Sequence, residues 1–146
     1  MKKNKSAMII ALAAIALAAI LPMFITNNYH LNLMIQVLIN IIDNAIKYTP
    51  VGSDIRIEWK KQGDFVLVSI ADNGPGISAE AKPHIFEMFY SASAKIADSR
   101  RSMGLGLALC KSIINAHGGE IAVADRSPHG AIFTFSVPAG EVELHE

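Results

Sequence analysis

The stretch Phe65-Val66-Leu67-Val68-Ser69-Ile70-Ala71-Asp72-Asn73-Gly74-Pro75-Gly76 decides how the 146-residue chain folds. Its first half, Phe65 to Ile70, is almost continuously apolar, the pattern of a strand covered on both sides and therefore central in a sheet. It runs directly into Asp72–Gly76, a segment dense in turn-forming residues. A carboxylate at that point can accept a hydrogen bond from an exocyclic amine, and glycines beside it let the backbone approach a flat base. Taken alone, the same five residues are only a turn.

Working outward, Ile55, Ile57 and Trp59 alternate with Arg56, Glu58 and Lys60, which predicts a half-buried strand. Lys61-Gln62-Gly63-Asp64 is the hairpin connection to the central strand. Further upstream, Met34, Leu38, Ile41, Ile42 and Ala45 recur at helical spacing, predicting a helix over 31–48 that stops before Pro50. Downstream, Ser78 is placed to cap a short helix with Glu80 near its start. Ile85-Phe86-Glu87-Met88-Phe89-Tyr90 precedes a polar, small-residue stretch from Ser91 to Ser102 that has little to bury and is expected to be a loop. A second helix is expected from Gly104, with Leu105, Leu109, Ile113 and Ala116 at helical spacing, ending at His117-Gly118-Gly119. Ile121–Ala124 and Ala131–Val137 then predict two strands around 125–130. The order helix, two strands, loop, helix, two strands predicts an α/β fold, a two-layer sandwich with helices on one face of a mixed, mainly antiparallel sheet.

Composition narrows the function. Lys plus Arg number 13 and Asp plus Glu 13, so the formal net charge is zero and nothing favours nucleic acid as a partner. The single cysteine, Cys110, excludes a disulfide framework and a thiolate zinc site, and is read as a small core residue. The five histidines show no metal-ligand spacing. Apolar residues make up 51% of the chain, and much of the excess lies in Ala7–Ile25, an uncharged run after Lys2, Lys3 and Lys5. As a helix those residues would be about 28 Å long, enough to reach across a bilayer core. Lysines ahead of a single span would send the following domain outward, so contact of residues 7–25 with a membrane surface, or packing on the domain, is the expectation instead. The chain therefore divides into a leader at 1–27, a domain at 28–140 and a tail at 141–146.

The polar residues inside these elements form a pattern. Asn40, Asn44 and Lys47, at i, i+4 and i+7, share a narrow stripe expected to lie opposite the apolar face. Asparagine is a poor helix former, so two in register within an aliphatic segment suggest amide oxygens for a hard cation such as Mg2+, with Lys47 for phosphate; a solvated face is the alternative. Gly104-Leu105-Gly106 opens a helix just after Arg100 and Arg101, and unpaired N–H groups at a helix start bind phosphate.

In order, Asn40-Ile-Ile-Asp-Asn44-Ala45-Ile-Lys47-Tyr48, Asp72-Asn-Gly74-Pro-Gly76, Ile85-Phe86-Glu-Met-Phe89 and Gly104-Leu105-Gly106-Leu107 resemble the N, G1, F and G2 boxes of sensor histidine kinases, with the flavour of the KdpD-type potassium and turgor sensors. The resemblance runs from about Leu31 to Pro138. It implies the Bergerat-type ATP-binding fold and a catalytic domain of a two-component system that binds ATP and Mg2+. It implies Asn44 as the magnesium ligand, Asn40 as a neighbouring magnesium or phosphate contact, Lys47 as the phosphate-binding lysine and Tyr48 as an aromatic beside the nucleotide. Asp72 would pair with the adenine amino group, Gly74 and Gly76 would shape the pocket, and Ile77 would line it. Phe86 and Phe89 would anchor a lid spanning 87–103, although each of them, like Tyr48, could equally be a core aromatic. Arg100, Arg101, Gly104, Leu105, Gly106 and Leu107 would meet the phosphates.

Three departures accompany the resemblance. None of the histidines is followed by a Glu-Leu-Arg-Thr-Pro-like run, so no catalytic residue is identified within this chain. The phosphoacceptor histidine is expected on a dimerisation domain in cis or in trans, with a response regulator downstream. Ser102 stands where the family has a glycine. The family's strand before the first helix is replaced by the leader, for which Met23–Thr26 is the stand-in. Location at the cytoplasmic face of a bacterial membrane follows as an expectation. Two rival functions remain: a nucleotide-sensing module without catalysis, and an ATPase or serine kinase of the same superfamily. The latter carry a glutamate as general base four residues before the magnesium asparagine, where this chain has Asn40.

Overall fold

The computed structural model describes residues 28–90 and 104–139. The leader, Arg100, Arg101, Ser102, most of the expected lid and the tail lie outside the described residues. Helix α1 (Asn28–Tyr48) is followed by strands β1 (Ile55–Gln62) and β2 (Phe65–Asp72), helix α2 (Gly106–Ala116), and strands β3 (Ile121–Asp125) and β4 (Ala131–Pro138). Among the described residues the sheet order is β1-β2-β4-β3, and all three pairings are antiparallel.

The apolar spacing of α1 explains its placement. Met34, Val37, Leu38, Ile41, Ile42, Ala45 and Ile46 are all buried, at alternating steps of three and one that keep them on one stripe of a 3.6-residue helix. They meet one face of the sheet, where Val66, Val68 and Ile70 of β2 lie opposite Val137, Phe135 and Phe133 of β4. Cys110, Ile113 and Ile114 of α2 complete the same core. On the other face, Ser69 and Thr134 face each other across the ladder with their hydroxyl oxygens 3.0 Å apart. The result is the expected two-layer sandwich.

The two helices run antiparallel. Asn40 of α1 reaches Gly106 at the start of α2, the Val37 carbonyl accepts from the Cys110 thiol, and His30 meets His117 at the far end. Both helix ends have carbonyls taken up by the residues that follow. Thr49 Oγ1 donates to the Ala45 carbonyl at 2.6 Å, while Gly118 and Gly119 donate back to Asn115 and Ile114 in a Schellman arrangement.

Several expectations need correction. No α-helix follows Ser78. Its hydroxyl instead accepts from Ala81 N–H at 3.2 Å and starts a series of turns through 79–89. Helix α2 begins at Gly106, because Gly104 has φ +66°, outside the helical region, and a Cβ there would lie 2.7 Å from the Tyr90 carbonyl oxygen. Trp59 is 56% exposed: β1 is an edge strand among the described residues, and helix cover ends before it. Asn40 and Asn44 are half-buried, at the border of the apolar face, and the start of α2 packs against Asn40.

Cys110 takes the core role its sequence context suggests. Burial pushes its thiol up from 9.0 to about 11, partly offset by hydrogen bonding to Asn40. The folded protein thus holds the thiol proton more tightly than the unfolded chain. This contribution to stability is complete below pH 9 and disappears as pH rises through about 11. A disulfide reagent at pH 8 should react with native Cys110 about a hundredfold more slowly than with the denatured chain. Equal rates would place the thiol outside the core.

Candidate nucleotide site

Asp72 closes β2 and is the sole buried charged side chain among the described residues. Its Oδ1 accepts from Gly74 N–H at 2.9 Å and from Ala131 N–H at 3.4 Å. One oxygen therefore holds the turn that follows β2 and the first residue of β4. A carboxylate offers about four acceptor positions, so Oδ2 keeps its capacity for an incoming donor. The sequence reading anticipated a carboxylate for a ligand and missed that it also fastens two strands.

The turn 73–76 is held from several directions. Asn73 Oδ1 accepts from Asp54 N–H at 2.8 Å, and His129 Nδ1 donates to the Gly74 carbonyl at 3.1 Å. Gly130 approaches so closely that a side chain there would collide with the Asp72 carbonyl, and its φ of +120° is one that glycine alone adopts readily. A cleft of about 500 Å³ opens beside this turn, lined by Lys47, Tyr48, Thr49, Asn73, Gly74 and His129 among others. Thr49 and His129 carried no sequence signal. Thr49 enters as the helix-ending residue of α1, and His129 is delivered by the loop between β3 and β4.

On α1, Asn40 is engaged at both ends of its amide. Its Oδ1 accepts from Gln36 Nε2 at 3.0 Å, and its Nδ2 donates to the Gly106 carbonyl at 3.3 Å. Asn44 lies one turn further on, half-buried on the same stripe. Lys47 is exposed and pairs with Asp43 at 2.7 Å. An exposed pair of this kind is worth little, so the ammonium can be redirected to a stronger anion at small cost.

Asn40 thus reaches the start of α2. Leu105 occupies the N-cap and provides no side-chain acceptor, and the first turn contains no acidic residue. Among the described residues no side chain caps the N–H groups of that turn, which suits an anion. Leu105, Gly106 and Leu107 are half-buried here, as is Gly104. A Cβ on Gly106 would meet only Asn40, at 3.8 Å, so the fold does not require glycine at this position.

The remaining expected residues separate. Phe86 belongs to the core, edge-on to Phe133 at 6.3 Å with Lys111 Nζ 5.9 Å from its ring centre. Phe89 is 73% exposed with φ +65°, and anchors the expected lid base by its backbone, through its N–H to the Gly104 carbonyl at 3.0 Å. Tyr48 is exposed on the cleft. Ile77 packs against the core and Gly76 against Gly130, so both shape the turn from behind.

Residues 30–141 match the family described as histidine kinase-, DNA gyrase B- and HSP90-like ATPases. The chain belongs to that family. Within it, the relatives are sensor kinases, and this is an ATP-binding catalytic domain of the histidine-kinase kind. The sensor protein KdpD of Clostridium acetobutylicum is 48% identical over 107 residues, 73% of this chain and 12% of that protein. The adaptive-response sensory kinase SasA of a Nostoc species is 46% identical over 105 residues, 70% of this chain and 25% of that protein. The chain thus spans a quarter or less of these two relatives. Among solved structures, the catalytic domain of histidine kinase ThkA superimposes with a TM-score of 0.65 at 34% identity, covering 75% of this chain and 68% of that one. The mycobacterial sensor histidine kinase MprB gives 0.67 at 30% identity, covering 75% and 74%.

Because Gly106 is sterically free, it separates ligand contact from folding. Gly106→Ala should leave stability unchanged or raise it by up to about 1 kcal/mol. It should weaken ATP binding about tenfold by holding phosphate away from the amides. Calorimetric affinity unchanged in the variant would remove the start of α2 from the site.

Proposed function

We propose that this domain binds Mg2+-ATP between the amide stripe of α1, the turn after Asp72 and the open start of α2. It then delivers the γ-phosphoryl group to a histidine on a separate dimerisation domain, from which a response regulator takes it. The observation that carries the reading is the Asn40–Gly106 hydrogen bond, which joins the amide stripe to uncapped helix N–H groups.

Each residue then has a task. Asp72 Oδ2 accepts from the adenine amino group while Oδ1 keeps the turn in place. Gly74 and Gly76 with Ile77 give the base its wall, and Tyr48 flanks it. Lys47 exchanges Asp43 for phosphate, and the N–H groups at Gly106 and Leu107, flanked by Gly104 and Leu105, hold the terminal phosphates. Phe86 and Phe89 fix the lid's near end, and Arg100 and Arg101 are assigned to phosphate as lid residues. The half-buried amide of Asn44 is an oxygen donor suited to Mg2+, which keeps several waters and takes few protein ligands. Asn40, with both amide atoms already engaged, serves chiefly to orient α2, its oxygen keeping one further acceptor position. The bound ion would neutralise charge on the β- and γ-phosphates.

Asn40 is also the reason to prefer histidine as acceptor. An amide cannot take a proton from water or serine, as the glutamate of the related ATPases and serine kinases does. The histidine kinase ThkA has been seen in complex with the response regulator TrrA, which supports a partner of that class here. No helix among the described residues is long and apolar enough to cross a membrane. We place the domain on the cytoplasmic side, where ATP is available, with residues 7–25 as its contact with the membrane.

The test supplies labelled ATP, Mg2+ and a separate histidine-bearing dimerisation domain to the full chain, its Asn44→Ala variant and its Asp72→Asn variant. The Asn side chain keeps an acceptor for Gly74 and Ala131 but turns an N–H toward the base. Magnesium-dependent label on the histidine, lost in both variants at unchanged circular dichroism, is expected. ATP binding without transfer to any such domain would favour the nucleotide-sensing module, and no ATP binding at all would overturn the site.

A further inference from the structure

The far end of the helix pair holds a second arrangement of polar groups that the nucleotide site does not use. His30 lies in the opening turns of α1 and His117 caps the end of α2. Their rings meet edge to face, with centroids 4.8 Å apart and planes at 84°. His30 Nδ1 and His117 Nε2 are separated by 2.7 Å. The antiparallel packing of α1 and α2 enforces this meeting, since Asn40 with Gly106 and Val37 with Cys110 fix the register.

The tautomers follow from a third contact. His117 Nδ1 lies 2.7 Å from the Ile113 carbonyl, which can only accept, so Nδ1 carries the hydrogen. His117 Nε2 therefore turns a lone pair outward, and the neutral pair is held by one hydrogen on His30 Nδ1. A carbonyl behind an imidazole is also the support that orients metal-binding histidines.

We propose that His30 Nδ1 and His117 Nε2 form a two-histidine site for a divalent transition ion of the Zn2+ or Ni2+ class, clipping the start of α1 to the end of α2. The ion takes the place of the shared hydrogen. The His30 proton moves from Nδ1 to Nε2, both rings remain neutral, and no proton is released. Tetrahedral coordination at ordinary zinc–nitrogen lengths needs the two nitrogens about 3.3 Å apart. The opening falls to His30, whose ring contact with His117 is on the surface. No group of three or more His, Cys, Asp or Glu side chains able to hold a metal occurs among the described residues, so water completes the shell. Imidazole nitrogen without carboxylate oxygen selects against Mg2+, which separates this site chemically from the nucleotide's cation. The clip lies about 15 Å along α1 from Asn40, ten residues away. An ion there braces the same helix pair that carries the phosphate-facing turn.

The experiment titrates ZnCl2 and NiCl2 into the full chain without nucleotide, by calorimetry, and follows the thermal midpoint with and without each ion. One saturable site and a raised midpoint are expected for both ions, with no such response to MgCl2. His30→Ala should lower affinity at least about tenfold and abolish the shift. His30 contributes only a surface contact, so this variant folds even if His117→Ala does not. His84→Ala removes a histidine outside the pair that has a close carboxylate, Glu87 at 2.9 Å, and should leave the titration unchanged. Absence of binding overturns the proposal, as does binding that survives His30→Ala or disappears in His84→Ala.

Discussion

Asp72 Oδ1 is the acceptor on which the geometry of the nucleotide face depends. It lies where β2 ends and β4 begins, and it holds one N–H from each side, Gly74 and Ala131. Without that carboxylate, two backbone donors next to the core would lose their partner, at a cost of about 1–3 kcal/mol each. Because one oxygen does this work, the other is left oriented by the protein and available to a ligand. In the proposed reading, structural and recognition roles coincide in this one buried carboxylate.

The second constraint is the antiparallel register of α1 and α2. Asn40 is held by Gln36 from within its own helix and passes that order to Gly106. The uncapped start of α2 is thus positioned before any ligand arrives, which is how binding energy avoids being spent on ordering. The same register carries His30 to His117 at the opposite end. One packing arrangement therefore defines both ends of the helix pair.

Much of this architecture was legible because period and turn chemistry are local properties. The alternation of Ile55 and Ile57, the apolar run into Asp72 and the stripe from Met34 to Ala45 each marked their element within a few residues. What escaped the sequence was set by neighbours distant in the chain. Trp59 alternates correctly yet stays exposed because its strand is at the edge. Asn40 and Asn44 were expected opposite the apolar face, but both are half-buried at its border, Asn40 against the start of α2. Ser78 signals a helix start that the following residues, including Pro83, turn into a run of tight turns. Phe86 and Phe89 look equivalent in sequence, and only packing separates the core ring from the exposed one. Thr49 and His129 join the cleft solely through tertiary structure, so no motif marked them.

The most direct test is a crystal structure of the domain with a non-hydrolysable ATP analogue. The account predicts the adenine amino group within hydrogen-bonding distance of Asp72 Oδ2, with Gly74 and Ala131 still bonded to Oδ1. It further predicts the terminal phosphate against the N–H groups at the start of α2. A base seated elsewhere, with the Asp72 carboxylate making no contact to it, would contradict the account.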